Sequence, residues 1–301
     1  MTSLDEVLDG RLRTLLPEEY QDAYEGMQPT PMRSAGLKFD ADGQVAWDQI
    51  WGSFCDLAMA GGPPHKGTLL EPGTQKEIDT QFDRYDEVAE EICRGIRMVT
   101  GLRAYVAPDP GWVCVTCHGD AMAGWLVRAI VMENVAARRR GAIIELPAAP
   151  HFRLEKEIKN VITVVAKTCH YWLGHIPGDQ QRAIAELFQT MAGESPLIEP
   201  DLSNAESAKN RRLASSVAAR IERSTGLRES GQRAPGWLGL ECPSVHFAVW
   251  MMRALVATNV LSRREGTVLL VPVSPATDPH GTVVAGAVER VYECAITRKV
   301  S

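Results

Sequence analysis

The sequence predicts a mixed α/β fold, a tandem duplication of an ααβαβα unit forming a pseudo-two-fold symmetric mixed α/β domain. Two sets of recurring residues carry the duplication. Gly101-Leu102-Arg103 returns as Gly226-Leu227-Arg228, Pro110-Gly111-Trp112 as Pro235-Gly236-Trp237, and Cys117 as Cys242, a constant spacing of 125 residues. The same register holds through Trp125/Trp250, Arg128/Arg253, Asn134/Asn259, Gly141/Gly266, Pro147/Pro272 and Cys169/Cys294, too many positions for coincidence. Short β-prone runs that alternate with longer helical patterns place both copies in the α/β class.

The elements follow in chain order. Residues 1–45 have no later counterpart and read as an N-terminal extension, closed by a turn between Gly36 and Gly43. Repeat 1 then spans 46–172 and repeat 2 spans 173–301. Trp47, Ile50, Trp51, Phe54 and Leu57 have helical spacing and predict a helix over 47–60. A second helix is expected over 75–100 and, in the other copy, over 203–225, each stopped by a glycine, Gly101 or Gly226. Strands over 113–117 and 238–242 come next. A helix of about twenty residues follows each, apolar on both sides and so largely buried. The Arg138-Arg139-Arg140 run before Gly141 reads as the basic end of that helix. Strands over 142–146 and 267–271 end at Pro147 and Pro272, and helices over 154–171 and 282–298 close the repeats. The strand–helix–strand stretch is long enough for a right-handed parallel crossover. Residues 171–177 form a tight corner in place of a flexible linker, so the two repeats are expected to share one core.

Composition narrows the function. The chain has 301 residues, 45% of them hydrophobic, which is ample for a core, and its net charge of −6 disfavours nucleic acid or an anionic membrane as the main partner. The N-terminus lacks the basic and apolar regions of a signal peptide, and no apolar stretch reaches the ~18 residues of a membrane span. Seven scattered cysteines fit a reducing compartment, so a cytoplasmic protein is expected; homo-oligomerisation is left open.

Duplication also sorts residues. Those kept in both copies are expected to be scaffold: Trp112/Trp237 as packing plugs, Asn134/Asn259 as a structural bond to a neighbouring loop, Arg128/Arg253 as ion pairs, and Cys169/Cys294 as small core residues. Polar residues peculiar to one copy are the better candidates for chemistry. Cys117 and Cys242 are kept, yet each falls at the C-terminal end of a strand just before a helix, where free backbone N–H groups and the helix dipole activate a thiol. Their polar neighbours differ, Thr116, His118 and Asp120 in one copy and Glu241, Ser244 and His246 in the other. The Gly/Pro-rich loop carrying His65, Lys66 and Thr68 has a shorter counterpart without the histidine and lysine, and suits a carboxylate or phosphate.

These residues suggest an enzyme for a small-molecule substrate that needs no cofactor. Cys117, His118, Cys242 and His246 would serve proton transfer of the isomerase or racemase kind, or thiol-nucleophile chemistry as in a lyase or hydrolase. His65, Lys66, Thr68, Asp120, Glu241 and Ser244 would bind substrate. A second reading is metal or haem binding by Cys114, Cys117 and His118, since C-x-x-C-H is the haem-attachment string and C-x-x-C is half of a zinc site. In an alternating strand, however, Cys114 and Cys117 should project to different faces. A noncatalytic scaffold or accessory protein is the third reading.

Overall fold

The computed structural model describes residues 4–22, 36–50, 69–202, 205, 207–231 and 234–300. In chain order the helices are α1 (Leu4–Leu15), α2 (Gln75–Thr80), α3 (Phe82–Thr100), α4 (Asp120–Met132), α5 (Lys159–Gly174), α6 (Gly178–Glu194), α7 (Ala208–Thr225), α8 (Val245–Val256) and α9 (Thr282–Thr297). The strands are β1 (Arg103–Val106), β2 (Trp112–Thr116), β3 (Arg138–Arg140), β4 (Ile143–Pro147), β5 (Trp237–Glu241), β6 (Arg263–Glu265) and β7 (Val268–Pro272). The protein is therefore mixed α/β with two small antiparallel sheets. It divides into two compact units, Gln28–Gln181 around the first sheet, and Met1–Met27 with Arg182–Ser301 around the second. No helix among the described residues is long and apolar enough to cross a membrane.

The first sheet has the order β1-β2-β4-β3. Alternation in β2 and β4 sends Val113, Val115, Ile144 and Leu146 to one face, where all are fully buried. Helices α3 and α4 cover that face, and α5 packs on both of them. Helix α3 contributes Tyr85, Val88, Ala89, Ile92, Cys93 and Ile96, an apolar stripe at three- and four-residue spacing. A π-helical turn, Leu154–Ile158, leads into α5. The second sheet, β5-β7-β6, buries Leu238, Leu240, Leu269 and Val271, with α7 and α8 against it and α9 packed on both helices. In the same unit α1 packs on α8, with Arg11 bonded to Glu194 and Arg298 to Asp5.

Several sequence expectations are corrected. Neighbouring strands are antiparallel, because the helix after β2 returns to a hairpin and not to a single strand. Gly141 at φ 60 and Gly266 at φ 59 sit in the hairpin turns, a left-handed conformation that favours glycine. The returning strand β3 does run parallel to β2, but β4 is inserted between them. The Arg138 to Arg140 run is accordingly an edge strand and not a helix end, and its charges oppose pairing with another chain. The preceding helix has 13 residues, ending at Met132, so Asn134 lies beyond it at φ 60; Asn259 matches at φ 62. The Asn259 side-chain amide donates to the Ser195 carbonyl at 2.8 Å, a bond to a neighbouring loop. Strand β1 was not expected, and the helix over 75–100 is broken at Gln81. Of the helix over 47–60, only 47–50 lies among the described residues, and it is helical there.

Candidate functional site

The face of the first sheet opposite the core carries a row of polar side chains. Cross-strand register aligns Tyr105 with Cys114, Cys114 with Glu145, and Glu145 with Arg138, one residue from each of the four strands. Period-two alternation puts all of them on the side away from Val113 and Ile144. Glu145 is only 4% exposed. Its carboxylate accepts a short hydrogen bond from Arg138 Nε, and Arg140 Nε stands 3.4 Å away. Asp109 accepts from Arg138 at 2.7 Å and from Arg140 at 2.5 Å. The Arg138 guanidinium lies 4.3 Å from the Trp112 ring, a cation–π contact that fixes its plane.

Cys114 Sγ is 3.9 Å from Glu145 Oε1, and Tyr105 forms a side-chain hydrogen bond with the same thiol. Burial pushes the Cys114 thiol above its ordinary range, and the Glu145 carboxylate adds to the effect; the Tyr105 hydrogen bond and the two arginines oppose it. Burial likewise raises the Tyr105 phenol. The row therefore places a proton-accepting carboxyl group beside a thiol and a phenol whose protons burial holds on.

The described residues singled out from sequence lie where β2 gives way to α4 and β5 to α8. Cys117 is buried just beyond β2, its N–H bonded to the Ala142 carbonyl, and burial pushes its thiol up to about 12. Cys242, in the other unit, is also pushed up to about 12 by burial. In both, the cost of burying a thiolate outweighs the expected help from the following helix. His118 and Asp120 are exposed at the start of α4, and Glu241 is exposed at the end of β5. Ser244 caps α8, accepting from the Phe247 N–H at 3.0 Å, and His246 is half-buried in the first turn. His65, Lys66 and Thr68 lie outside the described residues.

Cys114 lies within β2 beside Glu145, whereas Cys117 follows the strand and His118 is exposed. Among the described residues no three His, Cys, Asp or Glu side chains group as metal ligands. The cysteines among the described residues are free thiols.

Sequence reasoning missed Tyr105, Asp109, Arg138, Arg140 and Glu145, although the signal was present. The residues 125 positions on are Ser230, Ala234, Arg263, Glu265 and Leu270, and Gly239 stands for Cys114. Only the Trp/Arg pair is common: Arg263 lies 5.2 Å from the Trp237 ring and bonds Glu265 at 2.6 Å. The thiol, the phenol and the buried carboxylate belong to the first sheet alone. Comparison with protein-family models, with curated proteins and with solved structures gave no match.

Proposed function

We propose that the chain is a tandem duplication of one α/β unit, and that its first copy is a cytoplasmic enzyme acting on a small molecule by proton transfer. The carrying observation is the contact of Cys114 with a nearly fully buried Glu145 that Arg138 holds in place. The thiol chemistry expected at Cys117 is thereby moved three residues back, to the cysteine of the same C-x-x-C-H segment that touches a base.

The geometry also favours one kind of proton transfer. Glu145, Cys114 and Tyr105 project from the same sheet face, so base and acid reach a substrate from the same side. That suits a tautomerase-like shift, in which Glu145 removes a proton from one atom while Cys114, hydrogen-bonded to Tyr105, delivers one to another. The Cys114–Glu145 contact then returns the proton to its donor. Racemisation needs groups on opposite faces and fits this arrangement less well.

A structural reading draws on the mutual pairing of Asp109, Arg138, Arg140 and Glu145, four charges that cancel. Solvent-deuterium incorporation into a panel of small keto, hydroxy and amino acids, followed by NMR, separates the two. Exchange at one panel member that Glu145→Gln slows by roughly a hundredfold or more supports the enzyme. No exchange with any member, or exchange that the variant leaves unchanged, contradicts it.

A further inference from the structure

A second cluster lies at the C-terminal end of α5. His170 is in its last turns and His175 is the residue that caps it. The two Nε2 atoms stand 3.1 Å apart, with the rings crossing at 64° and their centroids 4.9 Å apart. The Tyr171 ring lies 5.4 Å from that of His175 and closes one side. The residues 125 positions on are Ala295 and Val300, so this pair, like the sheet row, is peculiar to the first copy.

We infer that His170 and His175 form a two-imidazole chelate for a borderline divalent cation of the Zn2+, Ni2+ or Cu2+ class. Imidazole nitrogen binds such ions at about 2.0–2.1 Å. With the nitrogens 3.1 Å apart, an ion equidistant from both subtends an N–metal–N angle of about 100°, suited to tetrahedral or cis square-planar coordination. The crossed rings bring both Nε2 atoms to one point, which a stacked pair would not. The negative end of the α5 dipole adds a field that favours a cation there. Nitrogen ligands select this class over Mg2+ or Ca2+, which prefer oxygen. Among the described residues no group of three His, Cys, Asp or Glu side chains forms, so the chelate rests on the two imidazoles.

The alternative for the same contact is a hydrogen bond between two neutral rings. Ni2+ titration calorimetry and Cu2+ electron paramagnetic resonance on the untagged full chain distinguish them. The chelate predicts one ion per chain, two nitrogen ligands in the Cu2+ spectrum, and an affinity at least about tenfold lower in His170→Gln and in His175→Asn. Each variant should keep one nitrogen ligand and the wild-type circular dichroism. Absent uptake, equal affinity in all three chains, or a wild-type spectrum with fewer than two nitrogens overturns the proposal. The wild-type spectrum decides the matter even if a variant fails to fold.

Discussion

The reactivity of the two cysteines in the C-x-x-C-H segment can be worked out in advance. Burial moves the Cys117 thiol from an ordinary 9.0 to about 12, a shift that leaves roughly a thousandfold less thiolate at neutral pH. A more basic thiolate is intrinsically the better nucleophile, and with a Brønsted slope of about 0.45 three units return a factor of about 20. The net rate toward a small disulfide should thus be about 50-fold below that of a free cysteine, before any protection by packing. Peptide-resolved mass spectrometry of mixed-disulfide formation from about pH 6 to 10 reads this directly. Cys117 should react slowly and rise about tenfold per pH unit without a plateau. In the same digest Cys114 should react faster in Glu145→Gln than in the wild type, because the variant removes a negative charge that holds the thiol protonated. A plateau for Cys117 by about pH 8 would refute the reasoning and restore the helix terminus as the dominant influence.

Other outcomes follow from the same contacts. Arg138→Ala leaves a buried carboxylate with only Arg140 nearby and should cost about 1–3 kcal/mol in urea denaturation, discounted for the partial exposure of Arg138. Glu145→Leu installs the residue found at position 270, leaves Arg138 bonded to Asp109, and should cost less than Arg138→Ala; the reverse order would mark the row as structural. Gly281→Ala should cost about 3 kcal/mol, since φ is 64 and the new Cβ would meet Val217 Cγ2 at 2.1 Å. Gly266→Ala, with φ 59 and open space around it, should cost only about 1 kcal/mol by the same assay, and equal losses would contradict the packing argument. The Arg153 hydrogen bond holds Glu157 down at about 2, below an ordinary 4.5, so its contribution to stability is present above 4.5 and disappears as pH falls toward 2. Glu157→Gln should remove that part of the acid sensitivity, a small part because Arg153 is exposed; an unchanged acid transition would argue against the pair.

Much of the fold was legible because local chemistry marks it. Glycine stops at Gly101 and Gly226, proline stops at Pro147 and Pro272, and three- and four-residue apolar spacing in α3 are all properties of neighbouring residues. The hairpin around Gly141 is not legible, because a glycine after three arginines fits a helix end and a tight turn equally well. Taken as a helix end, it makes an antiparallel neighbour look parallel. The polar row was harder, since Cys114 and Glu145 are 31 residues apart and meet only through register. Glu145 differs from Leu270, the residue 125 positions on, and that contrast is in the sequence, but strand-to-helix turns are where ligands gather in open parallel sheets. These sheets are antiparallel, and that rule does not govern them.

The proposed enzyme uses Cys114 and Glu145 together in proton transfer. The most direct measurement is the rate of solvent-deuterium exchange into the panel substrate by the wild type, Cys114→Ala, Glu145→Gln and the double variant. Residues that act as a unit are strongly non-additive, so the double variant should be no slower than the slower single variant. Losses that multiply, or a Cys114→Ala enzyme as fast as the wild type, would contradict the account.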